Sequence, residues 1–193
     1  MVKEFDIVSG KKVELDKLKS KDFIPDNIFQ EIHKNLVVFT SDVLVYYKNG
    51  FLLMKRTKKP LMGEYFFCGG RVQKGVPLKE FLRKKIKEEC GLSVGSMVFL
   101  FASREFYEED PFEHGKGTDT CGFKYLAIGK GEINLDKNHG SYIIIKPEEY
   151  PSMRSSLVPL VREAIDIAIK YLEKAKEENI SFEECIKKYA EKD

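Results

Sequence analysis

The stretch from Gly69 to Leu92, GGRVQKGVPLKEFLRKKIKEECGL, limits what this chain can fold into more than any other. It follows Glu64 to Cys68, which reads as a short strand. After the glycine pair a helix opens near Pro77 and stops at Gly91. Projected at about 100° per residue, Leu78, Phe81, Leu82 and Ile86 share one arc, which has to face a core. Lys85 and Glu89 fall inside that arc, and Glu88 lies at its edge. Ionisable groups on an inward face are costly unless they pair with each other or bind something. An internal Lys85–Glu89 ion pair is one reading. The other is a ligand site, because a glycine pair lets the backbone approach a ligand closely. Arg71 and Lys74 add positive charge to the same loop, and the glutamates offer hard oxygens suited to Mg²⁺. A phosphate compound with Mg²⁺ is the simplest occupant of such a loop.

The remaining elements surround this unit. Pro25 opens a short helix through Asn27, Ile28, Phe29, Ile32 and His33. Leu36 to Lys48 is rich in Val, Tyr and Phe and reads as a strand, and Asn49-Gly50 turns it into a second, Phe51 to Arg56. Met97 to Tyr107, Gly122 to Ile128 and Ser141 to Lys146 are further strands, the first two separated by a polar loop, Glu108 to Thr120. Leu157 to Lys176 is a long amphipathic helix with Val161, Ile165, Ala168 and Leu172 on one side, followed by a shorter helix over Phe182 to Ala190. The expected class is α/β (α+β), a mixed sheet flanked by helices. At 193 residues there is enough chain for one sizeable core and too little for two ordinary domains. The expected division is a weakly patterned arm and short helix over 1–35, the main domain over 36–150, and C-terminal helices packed on it over 151–193.

Several function classes are disfavoured. A net charge of +2 with scattered lysines gives no general attraction to nucleic acid or anionic membrane. No signal peptide or membrane span is visible. Cys68, Cys90, Cys121 and Cys185 form no CxxC pair, and read as thiols of a reducing compartment, so the expected location is cytoplasmic. His33, His114 and His139 are too scattered for a metal cluster, and the first two read as structural or surface residues.

The glycine loop and helix resemble a Nudix box, G-x5-E-x7-R-E-U-x-E-E-x-G-U with U bulky and aliphatic. Gly70 meets its opening, and Ile86, Glu88, Glu89, Gly91 and Leu92 meet its end. Val76 replaces the first Glu, Lys84 the Arg, and Lys85 the Glu that follows it. The opening GGRVQK, Gly69 to Lys74, is similar to that of the GDP-mannose mannosyl hydrolase branch, whose box is also altered. The resemblance runs from about Val37 to Tyr150 and implies a mixed sheet sandwiched between helices. Lys55-Arg56-Thr57 resembles the branch's substrate-binding arginine site, Asp42 an acidic residue on the preceding strand, and Gly117-Thr118-Asp119 a GTD run. Asn138-His139 falls where the branch has Gln-His. Glu105 stands in place of a functional His, and Tyr125 matches an active-site tyrosine if one residue is inserted after the GTD run.

By that resemblance Gly69 (through its carbonyl), Glu88, Glu89 and Asn138 are the expected Mg²⁺ ligands. Asp42, Arg56, Arg71 and Glu105 bind substrate, and His139 is the general base. Arg56, Arg71 and Lys84 share the charge of the departing diphosphate, with Tyr125 also in the site. The implied partner is a nucleotide sugar, GDP-mannose-like, cleaved to a nucleoside diphosphate and free sugar. Two alternatives stay open: a diphosphohydrolase cutting P–O–P with Glu105 or Glu108 as the missing carboxylate, and a non-catalytic nucleotide-binding module in which Lys85 fills the metal site. The helix after Leu157 suits a homodimer contact and a cover for the sheet equally well.

Overall fold

The computed structural model describes residues 14–19 and 24–190. The expected N-terminal arm therefore lies mostly outside the described residues, of which Leu15–Leu18 form one helical turn, α1. Pro25 caps α2 (Asp26–Asn35), where a fixed φ and a missing N–H do no harm. Strands β1 (Val38–Tyr47) and β2 (Gly50–Arg56) form the expected hairpin, but its turn sits one residue earlier. Lys48 and Asn49 both take positive φ, and Gly50 already pairs with Tyr47. The glycine serves a neighbour instead. A Cβ there would stand 2.6 Å from Ile144 Cγ2 and 2.9 Å from the Ile145 carbonyl oxygen.

Next come β3 (Tyr65–Phe66) and β4 (Cys68–Arg71), then α3 (Leu78–Cys90), β5 (Ser93–Tyr107), β6 (Thr118–Lys130) and β7 (His139–Ile145). A short helix α4 (Tyr150–Met153) and a 3-10 turn (Arg154–Ser156) lead into α5 (Pro159–Glu177) and α6 (Phe182–Ala190). The glycine pair thus lies within β4 instead of following a strand. Strands β5 and β6 both begin before their patterned cores, and His139 opens β7 instead of sitting in a free turn.

The strands build one mixed sheet in the order β3-β2-β1-β6-β5. β1 lies at its centre. β6 runs parallel to it along one edge, while the other edge is shared by β4, at Thr40 to Val43, and β2, at Val45 to Tyr47. The sheet therefore forks near Leu44, and β7 closes the far side of β2. Because side chains alternate, β1 and β2 feed two cores. Val43, Val45, Leu52 and Met54 pack under α3 with Phe81, Leu82 and Ile86. Leu44, Phe51 and Leu53 pack on the other face with Val161, Ala164, Ile165 and Ala168 of α5 and Ile186 of α6. Helices on both faces explain why these strands read as continuous apolar runs. Among the described residues no helix is long and apolar enough to cross a membrane.

Candidate active site

The fork in the sheet holds two adjoining cavities. The smaller, about 140 Å³, is lined by Asp42, Arg56, Thr57, Lys58, Phe67, Gly69, Gly70, Glu89, Asn138 and His139. The larger, about 240 Å³, shares Asp42, Arg56 and Gly70 with it, and is roofed by Phe29 and His33 of α2. Arg71, Glu105, Tyr107 and Thr118 also line the larger one. Sequence-distant segments thus converge because β1 exchanges one antiparallel partner for another just there.

Glu89 is buried at the inner end of α3. Lys85 Nζ lies 2.7 Å from its Oε1, and the Gly69 N–H donates to its Oε2 at 3.0 Å. Burial holds the Glu89 carboxyl above its ordinary range, although Lys85 pulls the other way. Burial also opposes the Lys85 charge, yet Glu89 outweighs it and the ammonium is held above its usual range. Both readings of the inward-facing pair therefore meet in one place: the ion pair exists, and its carboxylate lines a polar cavity.

Across the cavity, Asp136 organises the Asn138-His139 turn. Its Oδ1 lies 2.7 Å from His139 Nδ1 and accepts the Asn138 backbone N–H at 2.9 Å, while its Oδ2 accepts the Asn138 amide N–H at 2.9 Å. Burial works against the Asp136 charge, but these donors keep its carboxyl below the ordinary range. A carboxylate on Nδ1 orients the ring and leaves Nε2 as the working nitrogen. The amide nitrogen of Asn138 is spent on Asp136, so its oxygen is the end available to a cation. Asp136 was missed in the sequence, although Asp-x-Asn is an Asx-turn signal.

On the shared wall, Arg56 Nε donates to the Pro60 carbonyl at 2.8 Å. Burial lowers the guanidinium's pKa against the opposing pull of Asp42. Behind it lies a buried triad: Lys124 Nζ sits 2.6 Å from Asp42 Oδ2 and 2.8 Å from Glu105 Oε1. Burial pushes the Asp42 carboxyl up. Glu105, also opposed by burial, is held low by Lys124, Ser103 and Tyr107. Arg71 stacks over the Phe29 ring at 4.8 Å.

The other candidates lie elsewhere. Lys84 and Glu88 form an exposed pair 3.8 Å apart on the outer side of α3 and line neither cavity. Tyr125 is fully buried in the α3-side core. Its neighbour Lys124 takes the opposite face, as strand alternation requires. Glu108 is exposed beyond the end of β5.

Among the described residues no group of three His, Cys, Asp or Glu side chains is arranged around one point. The cavity is lined by Glu89, Asn138 and Gly69, residue types that can offer a carboxylate, an amide and a backbone carbonyl oxygen. An all-oxygen set with one carboxylate suits Mg²⁺ shared with substrate phosphates, and not a self-sufficient protein cage.

The family model described as the NUDIX domain matches residues 38–163, from the first residue of β1 into α5. The chain belongs to the Nudix family of hydrolases. Its relatives include the low-salt glycan biosynthesis protein Agl8 of Haloferax volcanii, 27% identical over 128 residues, which span 64% of this chain and 80% of Agl8. A NUDIX hydrolase from Nitrosomonas europaea superposes with a TM-score of 0.55 at 15% identity, covering 68% of this chain and 87% of that one. The bifunctional NMN adenylyltransferase/ADP ribose pyrophosphatase of Francisella tularensis, complexed with AMP and a Mn ion, superposes at 0.55 with 13% identity. That match covers 75% of this chain and 44% of the other. At such identities the last two share the fold. The Nudix fold here carries the extra helix α6 beyond the matched region.

Proposed function

We propose that this Nudix protein hydrolyses a nucleoside-diphosphate sugar, GDP-mannose-like, to the nucleoside diphosphate and the free sugar, with Mg²⁺ as cofactor. The observation that carries the reading is the pair of adjoining cavities with Arg56 and Asp42 on their shared wall. The smaller is polar and cationic at its rim, which suits a diphosphate, and the larger accepts the group attached to it. The kinship with a glycan biosynthesis protein supports a sugar-bearing substrate.

In this proposal Glu89, Asn138 and the Gly69 carbonyl hold Mg²⁺, which offsets charge on the diphosphate when bound. Arg56, and Arg71 from the neighbouring cavity, bind phosphate oxygens and stabilise the charge that grows on the leaving group. His139, oriented by Asp136, takes a proton from the attacking water at Nε2. Asp42 and Glu105, locked by Lys124, present fixed acceptors to sugar or ribose hydroxyls. The inward face of α3 offers one carboxylate, already partnered by Lys85. Attack on the sugar carbon depends on a stabilised leaving group and a base across the cavity, and so fits these residues better than attack on phosphorus.

Hydrolysis in ¹⁸O water tests which bond breaks. The label is expected in the sugar, with inverted anomeric configuration. Label in a phosphate would replace this reading with diphosphohydrolase chemistry at the P–O–P bridge. The 2.7 Å Lys85–Glu89 pair favours one further reading, a module that binds nucleotides without cleaving them. Binding of nucleotide sugars with no turnover in Mg²⁺ would establish that reading.

A further inference from the structure

We infer that Lys85 is a built-in counter-ion that closes the Glu89 carboxylate to free metal, so that the divalent cation enters only together with a diphosphate. The inference rests on the reading of Glu89 as a metal ligand. Both carboxylate oxygens are engaged in the described structure, Oε1 by the Lys85 ammonium at 2.7 Å and Oε2 by the Gly69 N–H at 3.0 Å. Each oxygen keeps a second lone pair, but a cation approaching alone there must come close to the Lys85 ammonium, which repels it. It also meets Arg56 and Lys58 on the wall of the same cavity, where Lys124, shared with Glu105, sits 2.6 Å from Asp42. Without a ligand, the cations beside these carboxylates leave little net attraction for a bare divalent ion.

A diphosphate reverses the balance. Its oxygens bring several negative charges into the space between Arg56 and Lys58, and they supply the ligands that Mg²⁺ otherwise takes from water. Lys85 has somewhere to go. Its side chain is 27% exposed, whereas that of Glu89 is 9% exposed, so the lysine is the partner able to swing from carboxylate to phosphate. Metal and diphosphate then bind synergistically, and the coupling is reciprocal: each raises the affinity of the other by the same factor. Lys85 is a positioning residue here, acting through Glu89.

Mn²⁺ provides a probe that needs no turnover, because water-proton relaxation is enhanced only when the ion is held on the protein. With the parent protein, Mn²⁺ alone is expected to give little enhancement, and Mn²⁺ with GDP a clear one. Mn²⁺–GDP without protein serves as the blank. Lys85→Met, which keeps length and removes charge, should bind Mn²⁺ without GDP at least about fivefold more tightly than the parent. Lys85→Arg should behave as the parent does. Adding Glu89→Gln to Lys85→Met should abolish the gain, and circular dichroism checks that each variant is folded. Equal Mn²⁺ affinity in the parent and folded Lys85→Met, with GDP-dependent binding retained, overturns the counter-ion role and leaves Glu89 as a ligand. No enhancement in either protein, with or without GDP, overturns the metal reading and the counter-ion role together.

Discussion

Glu89 and Lys85 illustrate how much one side chain can mean at this site. Substituting Glu89→Gln keeps the volume and the Gly69 N–H contact but deletes the charge that both Lys85 and a cation need. Hydrolysis in Mg²⁺ is expected to fall about tenfold or more, on the order of 1.4 kcal/mol of transition-state stabilisation, with the melting temperature little changed. Steady-state kinetics beside a thermal melt check both halves, and activity within about twofold of the parent would leave only the ion pair. Glu88, one residue earlier, is the internal control. It is half exposed against Lys84, and a surface pair of that kind contributes little to anything.

Elements decide what these residues can touch. β4 presses against β1 so closely that a Cβ on Gly69 would run into Asp42 Oδ1 and the Ser41 carbonyl oxygen, at a φ of +151°. Gly69→Ala therefore has to push the two strands apart at the fork. A loss of about 2 kcal/mol or more in urea denaturation is expected, with activity falling as well because the smaller cavity loses its shape. Gly70, on the same strand, has nothing within 4 Å of the corresponding point, so Gly70→Ala is the comparison that isolates the close approach. The roof of the larger cavity has its own dependence on conditions. His33 Nδ1 lies 2.8 Å from His114 Nε2, and Phe112 stacks edge-on against His33. Burial lowers the His33 pKa, His114 lowers it further, and Asp110 opposes both. A base whose folded pKa lies below its unfolded value binds protons more readily when unfolded. Stability should therefore be full above the ordinary histidine range and drop as pH falls through it. Urea melts at pH 7.5 and about 5.5 test this. His33→Phe should flatten the difference, and an undiminished difference would place the titration elsewhere.

For the whole molecule, the C-terminal helices complete one of its two cores. Ile165 is fully buried with Phe51, Leu53 and Ile145, and Ile186 of α6 joins the same cluster. Ile165→Ala should cost about 2–5 kcal/mol in chemical denaturation while leaving kcat close to the parent's, because the site lies at the fork and not beneath α5. A negligible loss would mean that α5 is an appendage instead of a layer.

The periodicity of Leu78 to Glu89 placed α3 and its inward Lys85–Glu89 pair, Pro77 and Gly91 set its ends, and Phe182 to Ala190 appeared as a helix with no tertiary knowledge. These are local matters, settled by 3.6-residue repetition and by backbone-restricting residues. The box between Gly69 and Leu92 carried the family for the same reason, since it is one continuous piece of chain. What the sequence left undecided depends on partners far away along it. The hairpin turn moved to Lys48-Asn49 because β7 comes too near Gly50 to allow a side chain. Tyr125 entered the core, and Lys124 turned instead toward Asp42 and Glu105, because a strand sends adjacent side chains to opposite faces and only the sheet's register says which face is which. His33 and His114, scattered in the chain, became neighbours, with His33 in the roof of a cavity. The linear chain determined which chemistry was on offer; the fork in the sheet decided which of those groups could meet.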